Sequence, residues 1–246
     1  MEQKDILLAR MDDLAEKAKN IGCAASRFLT PAEARAVAAH FIRRRDIKLI
    51  FDGGYEGAER ARAVFLNAEW GEYERVDFFR ALKIVIPPQD TPGHRDILGA
   101  VMALGVERAA IGDITENPYT IICLPELCGY IAENLTKAGR AGIRLSEMKL
   151  SELPARVESL SVKTDSVASP RLDAVLGSAF GFSRGKASEL IEAGRVSINH
   201  EVCIQSAKEL DEGAVLSVRG VGRAKLIELG GVSKKGRRFI KVGLYE

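Results

Sequence analysis

Between residue 78 and about residue 152 the apolar side chains alternate between strand spacing and helix spacing in one order. Leu82-Lys83-Ile84-Val85-Ile86 predicts a strand that stops at Pro87-Pro88. Ile97, Leu98, Val101, Met102 and Leu104 lie on one face of a helix from about Arg95 to Leu104. Arg108 to Ile114 and Tyr119 to Leu124 then read as strands joined by the turn Glu116-Asn117-Pro118. A helix from Glu126 to Lys137, stopped by Gly139, and a strand from Ile143 to Met148 complete the series. A βαββαβ order predicts a ferredoxin-like plait, the scaffold also used by RNA-recognition domains. Those versions stack bases on paired aromatics of the central strands. Here only Tyr119 lies near the expected position, so contacts through backbone, shape or another protein are expected.

The stretch before the plait predicts helices and a hairpin. Leu7, Met11, Leu14, Ala15 and Ala18 recur at helical spacing, and Asn20-Ile21-Gly22 is a stop signal. Thr30, Pro31 and Glu33 form the signature of a capping box with proline at the first helical position. The stripe Ala34, Val37, Ala38, Phe41, Ile42 follows and ends at Arg43-Arg44-Arg45, cations that complement a helix C-terminus. Strands are expected at Ile47–Phe51 and at about 61–66, around Asp52-Gly53-Gly54-Tyr55-Glu56-Gly57. That glycine loop fits a hairpin connection, and it equally fits a loop meeting RNA backbone beside Arg60 and Arg62. Spacing does not separate the two.

Charge divides the chain unevenly. The net charge is +2, yet residues 169–246 hold 13 basic against 9 acidic groups, and the preceding residues hold 23 against 25. The excess is steepest after residue 219, where Arg219, Arg223, Lys225, Lys234, Lys235, Arg237, Arg238 and Lys241 face only Glu228 and Glu246. A basic end on a nearly neutral body points to a polyanion such as nucleic acid, or to a solubilising tail. With 46% hydrophobic residues, the chain is neither disordered nor collagen-like. Its apolar runs fall short of a membrane span, so no membrane partner is expected. The charged opening Met1-Glu2-Gln3-Lys4-Asp5 and four scattered cysteines lead to the expectation of a cytoplasmic protein.

The basic end carries the most informative pattern. Leu172, Val175, Leu176 and Ala179 form a helix face after Pro170, and Gly181 breaks the helix. Ser183 caps a second helix whose first turn holds Arg184 and Lys186, whose buried stripe is Ala187, Leu190 and Ile191, and which Gly194 ends. Arg195-Val196-Ser197-Ile198 is a short strand, Asn199-His200 a turn, and Val215–Val218 a strand after the turn at Gly213. A helix N-terminus offers unpaired N–H groups and partial positive charge. With Arg171 and Arg195 at neighbouring element ends, this makes a compact cationic surface suited to phosphates and RNA shape.

These residues resemble the RNA-binding domain named after small-subunit ribosomal protein four, the S-four domain. The matching pieces are Arg171-Leu172-Asp173, Ser183-Arg184-x-Lys186-Ala187, Leu190-Ile191-x-x-Gly194-Arg195-Val196 and Val215-Leu216-Ser217-Val218. Along most of its length the chain also resembles the bacterial YlmH family. That likeness lies in Gly53-Gly54-Tyr55-x-Gly57-Ala58-Glu59-Arg60, in His94-Arg95-Asp96-x-Leu98-Gly99-x-x-Met102-x-Leu104-Gly105, and in Gly112-Asp113-Ile114. It continues in Arg219-Gly220-x-Gly222-Arg223-x-Lys225 and Gly230-Gly231. The resemblance implies a three-part α+β protein; with the Ser-, Pro- and charge-rich stretch Ser151–Ser169 read as linker sequence, the parts are an N-terminal α+β region (1–76), a ferredoxin-like plait (77–160), a linker (161–168) and an S-four-type domain with a basic extension (169–246). It implies a non-catalytic, monomeric factor that binds rRNA and tRNA on the large ribosomal subunit. In ribosome-associated quality control such a factor holds peptidyl-site tRNA while alanine tails are added to the nascent chain. The RNA-binding residues it implies are Arg171, Ser183, Arg184, Lys186 and Arg195, then Arg219, Arg223 and Lys225. Gly53, Gly54, Tyr55, Arg60, His94 and Arg95 are further candidate contacts to RNA or a partner.

Enzyme signatures are incomplete. Gly181 to Ala187 resembles a phosphate loop, but its glycines are one residue too close and Ala187 replaces the magnesium-binding hydroxyl. His94-Arg95-Asp96 resembles a kinase catalytic loop, yet Val101 occupies the asparagine position. Cys123 and Cys128 have no second cysteine pair, so they read as small apolar groups and no metal, cofactor or small-molecule substrate is expected. The competing reading is an rRNA-modifying enzyme, a pseudouridine synthase or methyltransferase, that uses the S-four-type domain for targeting.

Overall fold

The computed structural model describes residues 3–156, 159–199 and 201–245, and the chain divides into two compact units, 1–156 and 157–246. In the first unit, helix α1 (Gln3–Ile21) runs into strand β1 (Cys23–Leu29), followed by α2 (Pro31–Phe41), β2 (Ile47–Asp52) and β3 (Ala61–Asn67). Thr30 and Glu33 close the capping box at the start of α2: the Glu33 carboxylate accepts from the Thr30 N–H at 2.7 Å, and Thr30 Oγ1 accepts from the Glu33 N–H at 3.3 Å. The three strands pair antiparallel in the order β1-β3-β2. Met11, Ala15 and Ala18 of α1 and Val37 and Phe41 of α2 share an apolar cluster with Ala63 and Phe65 of the central strand. Strand β1 is absent from the pattern-based expectation. Its sequence Cys-Ala-Ala-Ser-Arg-Phe-Leu has no clear alternation, and pairing with β3 decides its state.

Arg44 belongs to the fold. Its guanidinium meets Asp46 at 2.8 Å and Glu16 at 3.1 Å, and Lys19 reaches Asp46 at 2.7 Å. Chiefly through Arg44, this exposed network holds the Asp46 carboxyl well below the usual carboxylate range.

The unit continues through α3 (Arg75–Phe78), β4 (Arg80–Val85), α4 (His94–Ala103), β5 (Ile111–Glu116), β6 (Tyr119–Cys123), α5 (Pro125–Asn134), β7 (Lys137–Ala138), β8 (Ala141–Gly142) and β9 (Arg144–Met148). The sheet order is β5-β6-β4-β9 with every pair antiparallel, so each helical crossover skips one strand. Helices α4 and α5 bury Ile97, Val101, Cys128 and Ile131 in one cluster with Leu82, Ile111 and Ile121. Two segments differ from expectation. Arg108–Ala110 is a 3₁₀ turn ahead of β5, and α5 stops at Asn134, because Lys137–Gly142 folds into the small β7–β8 hairpin around Gly139.

The second unit comprises β10 (Leu160–Val167), α6 (Leu172–Phe180), α7 (Arg184–Glu192), β11 (Val196–Ile198), β12 (Glu201–Val202), β13 (Val215–Val218), β14 (Gly222–Val232) and β15 (Arg238–Tyr245). Residues 161–168, expected as a linker, instead pair through Val167 with β15 as an edge strand. Polar side chains outnumber apolar ones there because β10 is exposed along most of its length. The antiparallel sheet has the order β10-β15-β14-β13-β11-β12. Gly181 and Gly194, with φ of 72° and 65°, end the two helices in the left-handed conformation open to glycine. Asn199 takes φ 48° at the β11–β12 turn, where its Oδ1 accepts from the Val215 N–H at 2.8 Å; His200 lies outside the described residues. No helix among the described residues is long and apolar enough to cross a membrane.

The capping box generates a test. Thr30→Ala should lower stability by about 1 kcal/mol, read from urea unfolding followed by the fluorescence of Trp70, the only tryptophan in the chain.

Candidate nucleic-acid interface

In the second unit, α6 and α7 pack on one face of the sheet. Leu172, Leu176, Ala187 and Ile191 share a core with Leu216, Val218, Leu226 and Val242. This packing fixes the loop between the helices, and with it the first turn of α7. Ser183 caps that turn, its Oγ accepting from the Lys186 N–H at 3.2 Å. Ser183, Arg184 and Lys186 are all exposed. Lys186 touches the Glu189 carboxylate at 3.1 Å, a solvent-exposed pair of small energy that a phosphate can displace. At the C-terminal end of α7, exposed Arg195 donates from Nη2 to the Arg219 carbonyl at 2.8 Å, while the Arg219 N–H donates to the Arg195 carbonyl at 2.9 Å. The strand register thus brings Arg195 and Arg219 together, although 24 residues separate them.

Arg171 is held differently. Its guanidinium grips the buried Asp173 carboxylate at 3.2 and 3.0 Å, which fixes the start of α6 while leaving the side chain 42% exposed. Arg223 and Lys225, the further RNA-binding candidates, stand apart from the first turn of α7. On β14 they alternate with Ala224 and Leu226, which are buried beneath the helices, so they project from the opposite face of the sheet. There Arg223 lies over the Tyr245 ring, 4.7 Å from its centroid.

The glycine loop of the first unit is a structural joint. Asp52, Gly53, Gly54 and Tyr55 are buried. Asp52 accepts from the Gly54 N–H at 2.7 Å, the Tyr73 hydroxyl at 2.8 Å and Arg75 Nε at 2.8 Å. On the far side of the loop, buried Asp113 of β5 accepts from the Tyr55 hydroxyl at 2.9 Å, the Glu59 N–H at 2.7 Å and the Arg60 N–H at 3.0 Å. Burial, and then the Asp113 charge, push the Tyr55 phenol well above its ordinary value. A Cβ at Gly53 would stand 2.3 Å from Ala58 Cβ and 2.4 Å from the Arg60 carbonyl oxygen, so glycine is required by close approach.

Arg60 turns inward to the carbonyls of Ile111 and Phe28 at 3.2 and 3.1 Å. Arg60 is half-buried and Arg62 buried, the latter donating to the Ser26 carbonyl and lying over the rings of Phe78 and Phe79. Gly53, Gly54, Tyr55 and Arg60, expected to be available to RNA or a partner, are therefore taken up by contacts inside the unit. The residue this joint turns on is Asp113, whose signal is a carboxylate set in an apolar strand. His94 and Arg95 open α4, His94 half-buried and Arg95 exposed, beside the Gly93 N–H that donates to Asp96 at 3.0 Å. Among the described residues no group of three or more His, Cys, Asp or Glu is arranged to hold a metal ion.

Three family models match the chain. "YlmH, N-terminal" matches residues 4–70, "Putative RNA-binding domain in YlmH" residues 82–152, and "S4 domain" residues 170–216. Over 214 residues the chain is 34% identical to a protein of Bacillus subtilis (strain 168) named ribosome-associated protein quality control protein P2, covering 85% of this chain and 82% of that one. The solved structure described as cell division protein ylmH from Streptococcus pneumoniae matches with a TM-score of 0.51 at 21% identity. That match covers 62% of this chain and 94% of the other, and it shows a shared fold.

The joint makes its own prediction. Asp113→Ala strands three donors in a buried site and should cost about 3 kcal/mol in Trp70-monitored unfolding. RNA affinity of the folded protein should stay unchanged, because the loop is turned inward.

Proposed function

The chain belongs to the YlmH family, and from that premise we propose that it is a non-catalytic, ribosome-associated RNA-binding factor. Its partners in this reading are rRNA and tRNA on the large subunit, and it steadies peptidyl-site tRNA while alanine tails extend a stalled nascent chain. The observation that carries the proposal is the first turn of α7, where Arg184 and Lys186 stand exposed at a helix N-terminus. Arg195 and Arg219 stand at the other end of that helix. Such a surface holds phosphates without reading base sequence, so it selects an RNA by the path of its backbone. The name of the Bacillus subtilis relative supports placing this activity on the ribosome in quality control. Arg171, tied to Asp173, supports the geometry of α6 and offers its exposed edge to RNA. A cytoplasmic location follows from a ribosomal partner.

The test is co-sedimentation with purified large ribosomal subunits. Arg184→Glu with Lys186→Glu should abolish association and leave thermal unfolding nearly unchanged, since both side chains are exposed. In the wild type, affinity should fall steeply with salt. Arg184→Ala with Lys186→Ala should reduce the log–log slope by roughly 1.4 to 1.8, because each neutralised phosphate contributes about 0.7 to 0.9. Retained co-sedimentation of the Glu variants would overturn the assignment of this surface. A modified rRNA nucleoside lost on deletion and restored by this protein would move the assignment to the enzyme reading.

A further inference from the structure

The matched S4 segment ends at residue 216, and the sheet continues beyond it through β14 and β15. In β15, Ile240 and Val242 are buried under the helices. Phe239 and Lys241 alternate with them and so project from the opposite face. Phe239 is 46% exposed, unusual for an aromatic side chain within a paired strand. Its surroundings explain the exposure. The β14–β15 register passes from Leu229↔Ile240 to Val232↔Arg238, so Gly230 and Gly231 together oppose the single residue Phe239. This is a β-bulge, a device that re-aims a side chain. A Cβ at Gly230 would lie 3.3 Å from Phe239 Cβ, while one at Gly231 would meet open space. The two residues opposite Phe239 on β14 therefore bring no side chain against it. On the other side, β10 places the small Ser166 opposite Phe239.

Cations flank Phe239 along the chain. Two residues before it on the chain, Arg237 donates to the Ser166 hydroxyl at 3.0 Å and to the Ser166 carbonyl, which ties its guanidinium to the residue that pairs with Phe239. Two residues after it, Lys241 pairs at 2.6 Å with Glu228, an exposed contact. Lys234 and Lys235 are exposed at the hairpin tip, where Gly236 turns the chain with φ 75°. A flat, half-exposed apolar ring opposite a glycine bulge, with cations before and after it on the chain, matches an unpaired nucleobase with its neighbouring phosphates. Base–aromatic stacking is tolerant of sequence, and the cations track the backbone. An acidic peptide would satisfy the charges without needing an open ring face.

We infer that Phe239 is a stacking platform for an unpaired RNA base, with Arg237, Lys241, Lys234 and Lys235 holding the phosphates on either side. This second RNA contact is on the sheet face opposite α6 and α7. It rests on the RNA-binding reading above and adds single-stranded RNA to what the protein recognises.

Fluorescence anisotropy on the full-length chain tests it, with a short fluorescein-labelled oligoadenylate, an RNA duplex of equal length and anionic phospholipid vesicles as probes. Phe239→Ala should weaken oligoadenylate binding about tenfold without changing duplex binding, and Phe239→Tyr should restore it. Lys234→Ala with Lys235→Ala should weaken the same probe and flatten its salt dependence. Arg184→Ala with Lys186→Ala should weaken the duplex and leave the Phe239-dependent part intact. The platform is overturned if Phe239→Ala changes oligoadenylate affinity less than twofold, if it weakens duplex equally, or if the Phe239-dependent ligand is the vesicle. Failure of the wild type to bind either RNA would instead overturn the RNA-binding reading itself.

Discussion

The first unit depends on one buried carboxylate. Asp113 sits on β5 of the four-stranded sheet, and its acceptors are filled by Tyr55, Glu59 and Arg60 from the loop between β2 and β3. A charge taken out of water is costly unless it is hydrogen-bonded, so the loop and the strand hold each other in place. Arg156 closes the arrangement, its guanidinium 3.2 Å from Glu59 and 3.7 Å from Asp113. Phe28 and Tyr55 consequently lie in the apolar cluster of the four-stranded sheet, although both come from the N-terminal stretch. Two segments matched by separate family models thus form one compact unit.

The second unit obeys a different constraint. A strand sends alternate side chains to opposite faces, and two helices can cover only one face of the sheet. Ala224, Leu226, Ile240 and Val242 are buried beneath α6 and α7, which obliges Arg223, Lys225, Phe239 and Lys241 to stand on the other side. The basic extension is therefore not a continuation of the helix-end surface. Arg184, Lys186, Arg195 and Arg219 flank α7, while the charges of β14 and β15 belong to the opposite face and to the hairpin tip.

Much of this was legible in the residues. The capping box at Thr30, the breaks at Gly181 and Gly194 and the Ser183 cap depend on local φ and on side chains within four positions, so short motifs announce them. Long periodic helices were legible for the same reason. Strand β1 was not, because its state comes from pairing with β3, some forty residues onward. Residues 161–168 look like a polar linker since an exposed edge strand carries little apolar signal. The glycine loop presented its residues without the partner that decides their role: Gly53 and Arg60 suit an RNA contact until Asp113, 53 residues beyond Arg60, occupies them.

By itself the sequence determined the alternation of main strands and helices between about residues 80 and 148, the family motifs, the position of the basic end and the cationic first turn of α7. These follow from short-range stereochemistry and from charge counted along the chain. Tertiary structure alone decided which charges share a surface, that the glycine loop is spent on a buried carboxylate, and that Phe239 faces outward across a glycine bulge. Those outcomes depend on strand register and on burial by distant residues, and neither is recorded in local spacing.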